Sequence, residues 1–185
     1  MDIPEEEYSI IRQCIDGNPE AYAILVRRYQ DMIYNVTYRI LGDPEGANDM
    51  AQETFISAYM ALKDFKNSSK FSSWLCSIAI NKCRDNLRSR KDSIPLDDIE
   101  EVCASNMANP EEMTHKRQVM QNLQRALNAL PRDYKEVIIL KHVEGLDYRE
   151  METILGVSAN VLKVRTYRAR ETLKEILKEE EGANE

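Results

Sequence analysis

The sequence predicts an all-α chain built as two small helical domains joined by an acidic, flexible linker, and three observations carry that prediction. Asn18-Pro19-Glu20, Asp43-Pro44-Glu45 and Asn109-Pro110-Glu111 each place an N-cap side chain before a proline, followed by an acid that suits the positive end of the helix dipole. Gly17, Gly42, Gly145 and Gly156 punctuate helix ends, and no stretch alternates as a strand would. From Asp92 to Glu112 there are seven acids and no Lys or Arg. Such a stretch cannot bury enough apolar surface to offset its ordering entropy.

In chain order, a first helix is expected over 4–16. The Asn18 and Asp43 caps then start helices over 19–41 and 44–63. A fourth, over 71–90, sets Phe71, Leu75, Ile78 and Ala79 on an apolar face, with Cys76, Ile80, Cys83 and Leu87 along one stripe. These complete a first domain, 1–92. The linker, 93–109, spans up to ~55 Å when extended, more than the ~34–36 Å of one turn of duplex DNA. The second domain, 110–185, is expected to hold helices over 110–129, 132–143, 147–155 and 159–179. Gly156 supplies a turn with φ > 0 and Ser158 an N-cap, so the last two helices read as helix-turn-helix.

Composition bounds the function classes. With 185 residues, 43% hydrophobic and 31% charged, the chain can bury one medium core or two small ones. No apolar run approaches the ~20 residues that span a bilayer, and the opening MDIPEEEYS is acidic rather than signal-like. A cytoplasmic protein is expected. Cys14, Cys76, Cys83 and Cys103 lack CxxC spacing, and His115 and His142 stand alone, so no metal site and no cofactor are expected. There is no Walker loop, nucleophile elbow or HExxH motif, and no enzyme is expected.

Charge points elsewhere. The chain is acidic, at net −7, yet Gly156 to Leu173 packs Lys163, Arg165, Arg168 and Arg170 with no acid between them. A basic helix alone is most simply a solvated face. A second basic segment changes that balance: Lys66, Lys70, Lys82, Arg84, Arg88, Arg90 and Lys91 oppose only Asp85. Two positive patches in a negative chain imply two contacts on a polyanion. On 71–90, Asn81, Arg84, Asp85 and Arg88 form a polar face, and Asn offers a base both donor and acceptor. On 44–63, Glu45, Asp49, Gln52 and Glu53 form one stripe, and Pro44 to Leu62 contains no Lys or Arg to pair with it.

Three blocks in order, DPEGANDMAQETFISAYMAL, KFSSWLCSIAINKCRDNLR and LNALPRDYKEVIILKHVEGLDYREMETILGVSANVLKVRTYRARETL, resemble regions 2 and 4 of bacterial RNA polymerase sigma factors of the extracytoplasmic-function class. The resemblance covers nearly the whole chain. It implies an alternative sigma factor that binds core polymerase, directs promoter recognition and helps open the promoter. Asp49, Gln52 and Glu53 would dock on the polymerase clamp. Asn81 would contact a base of the melted downstream element, with Arg84 and Arg88 beside it, and Lys66 to Lys70, KNSSK, resembles a loop that captures an unstacked base. Lys163, Arg165, Tyr167, Arg168 and Arg170 would meet the upstream element as duplex. A cognate anti-sigma factor, often membrane-tethered, is implied as a further partner.

Trp74 and Phe71 invite a base-stacking role, but apolar neighbours favour core packing for Trp74. Three residues depart from the family pattern: Glu152, where a small residue usually lets the two helices close; Val164, in place of Ser or Thr; and Thr166, in place of an apolar residue. A carboxylate at 152 must turn outward or push the helices apart. Two alternatives stay open on the residues alone: a stand-alone helix-turn-helix regulator that footprints an operator without polymerase, and a helical adaptor whose basic patches bind acidic proteins.

Overall fold

The structure, a computed structural model, describes residues 5–65, 70–93 and 115–182. The first unit holds α1 (Glu5–Ile15), α2 (Pro19–Leu41), α3 (Pro44–Met60), a 3₁₀ turn over Leu62–Asp64 and α4 (Phe71–Ser93). The second holds α5 (His115–Ala129), α6 (Arg132–Ile138) with a π turn over Ile139–Val143, α7 (Tyr148–Leu155) and α8 (Ala159–Gly182). Among the described residues there is no strand. The linker residues 94–114, and with them the Asn109-Pro110-Glu111 cap, lie outside the described residues.

The two described proline caps form as expected. Asn18 Oδ1 accepts from the Glu20 and Ala21 N–H groups, and the Asp43 carboxylate accepts from Glu45 and Gly46. Gly42 ends α2 with φ 74° and donates its N–H to Tyr38 O. A Cβ there would also fall 2.6 Å from Asn128 Nδ2 of the second unit. The positive φ favours glycine here, and any larger side chain would also make Asn128 move aside.

In the first unit, Leu25, Ile33 and Val36 of α2 meet Leu75, Cys76, Ala79, Ile80 and Cys83 of α4, all essentially without solvent exposure. The two α4 cysteines sit in the core as their stripe predicts. Phe71 is buried, with ring centroids 5.7 Å from Tyr29, 5.4 Å from Phe65 and 5.5 Å from Trp74. Trp74 is half-buried against Phe65 and Phe71, so both aromatics belong to packing. In the second unit, α8 covers α5, α6 and α7 around Leu127, Val137, Leu140, Met151 and Leu162.

Four helices end three or more residues from their sequence expectation: α4 runs on to Ser93 and α8 to Gly182, each three residues past the expected end, and two others change course earlier. The helix expected to reach 63 stops at Met60, and the tighter turn after it brings both Leu62 and Phe65 into the core. The helix expected over 132–143 changes to π geometry at Ile139, where the Glu144 N–H reaches Ile139 O. Glu136 through Leu140 are five consecutive buried residues, more than one helix face can hide. α8 covers one flank and α2 packs on the other, and the wider turn accommodates both.

The two units also pack directly on each other, α4 against α7 and α2 against α5 and the π turn. The α2 C-terminus has carbonyls that its own helix cannot satisfy. Gln124 Nε2 donates to Arg39 O at 3.3 Å and Lys135 Nζ to Ile40 O at 3.2 Å, so the second unit caps the first. Burial pushes the Lys135 amine down to about 8.

Candidate nucleic-acid interface

The helix-turn-helix forms where the sequence placed it. Asp147 accepts from the Arg149 and Glu150 N–H groups, and Glu150 Oε2 accepts the Asp147 N–H at 2.9 Å, a complete capping box at the start of α7. Gly156, at φ 67°, turns the chain into α8. Met151 and Leu155 of α7 and Leu162 and Ala169 of α8 are buried, which locks the two helices together. The opposite face of α8 exposes Lys163, Val164, Tyr167, Arg168 and Arg170, with Val161 beside them.

The three departures resolve individually. Glu152 turns outward, and its Oε2 accepts the Ala159 N–H at 3.2 Å. The Glu152 carboxylate, rather than the Ser158 hydroxyl, thus takes a free donor at the start of α8 and answers the helix dipole there. An anion approaching that end meets a negative charge, so phosphate attraction by this helix falls to its side-chain cations. Thr166 faces the core, and its buried Oγ1 has no partner among the described residues. Val164 is about half exposed, at 52%.

Not every predicted cation is free. Arg165 Nη1 lies 3.2 Å from Asp133 Oδ2 on α6. On α4, Asn81 and Arg88 are exposed, Arg88 beside its helical neighbour Asp85 at 3.4 Å. Arg84 instead turns to the second unit, its Nε 2.8 Å from Glu136 Oε1 and its Nη2 2.6 Å from Oε2. The Glu136 bonds hold the guanidinium firmly charged. Lys70 Nζ lies 2.9 Å from Glu150 Oε1, which raises its affinity for the proton. Lys66 and the rest of the KNSSK loop through Ser69 lie outside the described residues.

On α3, Asp49, Gln52 and Glu53 share an exposed face. The absence of a cation within that helix does not extend to its neighbour, since Lys82 of α4 reaches Glu53 Oε2 at 3.3 Å. Asp49 has no ion pair among the described residues. Ile56 and Met60, 59% and 78% exposed, continue the same stripe at i+3 and i+7 from Glu53 and turn it into a mixed acidic and apolar strip. The spacing was readable, but apolar residues on a helix are ordinarily taken for core.

Among the described residues no helix is long and apolar enough to cross a membrane, and no three His, Cys, Asp or Glu side chains gather as a metal site. Against known protein families, the chain matches sigma-70 region 2 over residues 25–93 and sigma-70 region 4 over residues 120–173. It is 33% identical to the ECF RNA polymerase sigma factor SigW of Bacillus subtilis, over 91% of this chain and 95% of that one. The solved structures that share its fold include two complexes. CnrH in complex with the cytosolic domain of CnrY has a TM-score of 0.71 at 25% identity, covering 91% of this chain and 95% of that one. The sigma factor RpoE in complex with the anti-sigma factor NepR, from Bartonella quintana, has a TM-score of 0.69 at 26% identity, covering 85% and 96%.

Proposed function

The chain belongs to the extracytoplasmic-function class of sigma-70 factors, and from that membership we propose a division of labour among its surfaces. It is an alternative sigma factor, an initiation factor that directs core RNA polymerase to promoters. The single observation that carries the residue assignments is the buried seam between α7 and α8, which leaves Lys163, Val164, Tyr167 and Arg168 exposed together. A basic helix held rigidly in that way fits a major groove. Val161 and Val164 offer apolar contact to a thymine methyl, and the cations contact phosphate. Domain 1–92 engages polymerase through Asp49, Gln52 and Glu53 and the downstream element through α4, and domain 110–185 reads the upstream element. A cytoplasmic location and an anti-sigma partner belong to the same proposal, supported by the likeness to CnrH and RpoE, each solved with a bound partner.

Run-off transcription with core polymerase and a library of promoter templates tests the function: initiation should depend on the added chain, and its absence from every template would overturn the reading. The same library separates the two DNA contacts. Asn81→Ala should weaken opening and relax preference at one downstream position, the loss of a base contact worth ~1–3 kcal/mol. Lys163→Ala should weaken holoenzyme binding across upstream sequences alike and lower the salt slope by about one. Arg165→Ala should cost less than Lys163→Ala, because Arg165 is already engaged by Asp133. An Arg165→Ala variant that abolishes upstream discrimination at an unchanged salt slope would reassign that residue to base reading.

A further inference from the structure

We propose that Glu152 reads a base: its carboxylate accepts a hydrogen bond from the exocyclic amino group of a cytosine in the upstream element, which makes it a specificity-determining residue of the second unit. The inference rests on the reading of α8 as the helix that enters the major groove. Glu152 is exposed, and its Oε2 is tied to the Ala159 N–H at 3.2 Å, seven residues along the chain and across the turn. Its other oxygen has no hydrogen bond, and the side chain has no ion pair, among the described residues. The carboxylate is anchored on one side and open on the other, so little rotamer freedom is left to lose when a donor arrives. Asp133, an acid of α6 beside the same helix, is by contrast already taken by Arg165 at 3.2 Å.

An ionised carboxylate only accepts, so its partners on duplex DNA are few. Phosphate oxygens, guanine O6 and N7 and thymine O4 are acceptors and repel it, and the major groove offers donors only at cytosine N4 and adenine N6. Adenine sets its N7 acceptor beside that amino group on the same edge, whereas cytosine carries a carbon-bound hydrogen there, so a single carboxylate oxygen is matched by cytosine. The first turns of a recognition helix are the part that meets base edges. Here they carry the exposed Asn160, Val161, Lys163 and Val164. Lys163 brings positive charge for the backbone, and the valines bring apolar surface. An acid beside these residues weakens any binding that rests on phosphates alone, and that loss is offset only where an amino group stands opposite it. The negative charge therefore acts on discrimination rather than on affinity.

The test is a binding selection with the holoenzyme, formed from core polymerase and the full chain, on promoters whose upstream element is randomised and whose downstream element is fixed. The wild-type chain should enrich cytosine at one upstream position by about tenfold over the other bases, the usual discrimination of one good base contact. Glu152→Ala should flatten that position alone. Glu152→Gln keeps an oxygen for the Ala159 N–H and turns its amide NH2 outward, so it should replace the cytosine preference by one for an acceptor-bearing base at the same position. Circular dichroism should show both variants folded as the wild type. Lys163→Ala should weaken binding across the library and leave the cytosine preference in place. A cytosine preference that persists in a folded Glu152→Ala or Glu152→Gln variant would assign the contact to another residue and overturn the proposal. Equal gains in affinity for every sequence in both variants would also overturn it, leaving Glu152 as a charge that only repels phosphate. A wild-type selection that shows upstream preference without cytosine overturns the proposal and leaves α8 as the reading helix. One with no upstream preference at any position overturns that reading as well.

Discussion

Phe71→Ala should remove about 3–5 kcal/mol from the stability of the first unit, the usual cost of deleting a buried aromatic ring and leaving a cavity behind. The ring is 1% exposed and stands among three others, nearly perpendicular to Phe65 at 88°. It is also the first residue of α4, directly after Lys70. Its loss therefore loosens the start of the helix that carries Asn81 and Arg84, and DNA-dependent activity should fall with stability. Phe71→Leu should recover part of both, because it restores apolar volume without the ring. Urea unfolding followed by the fluorescence of Trp74 measures the change at the site itself. A shift below about 1 kcal/mol would mean that the ring is not a core element, and would return it to consideration as a base-stacking group.

Asp49→Lys should lower affinity for core polymerase by about tenfold or more while leaving helical content unchanged, since a surface that receives the carboxylates of this strip must be basic and would repel a lysine. The residue is chosen on geometry. Glu53 is held by Lys82, so reversing its charge disturbs the α3–α4 contact as well as the surface, whereas Asp49 touches no cation among the described residues. Asp49→Lys thus isolates docking from folding. Truncating Ile56 and Met60 to Ala should compound the loss, because their exposed apolar surface extends the same strip. Competition of the variant with the wild-type chain for core polymerase checks both. If Asp49→Lys combined with Glu53→Lys still competes normally, the strip is a solvated face and polymerase docks elsewhere.

Much of this fold was legible because its signals are local. A proline after Asn18 or Asp43, a glycine at 42 or 156, and the spacing of Cys76 and Cys83 each depend on a few neighbouring residues, and each took the geometry expected of it. What stayed hidden was long-range. Arg84 and Glu136 are 52 residues apart and Ser73 and Glu150 are 77 apart, and no helical periodicity links such pairs. Glu136 read alone is one acid on a polar helix; it is buried only because α8 and the first unit close over it. The π turn at Ile139 has the same origin, since burial from two flanks is a tertiary demand. Glu152 was legible as an anomaly but not as a cap, because its hydrogen bond to Ala159 depends on the angle at which the two helices meet.

The buried sulfurs carry a consequence of a different kind. Burial pushes the thiols of Cys76 and Cys83 up to about 12, with the carboxylates on α6 and beyond, Glu136 near Cys83 and Glu144 and Glu150 near Cys76, adding to the rise. Only the thiolate reacts with oxidants and alkylating agents, and burial keeps both groups almost wholly as the thiol at neutral pH. Each is therefore a silent clock inside the first unit, advancing only while that unit is open. Alkylation followed peptide by peptide in a mass spectrometer reads the opening free energy at each sulfur without an introduced probe. Oxidative damage at these residues should likewise rise with the time the first unit spends open.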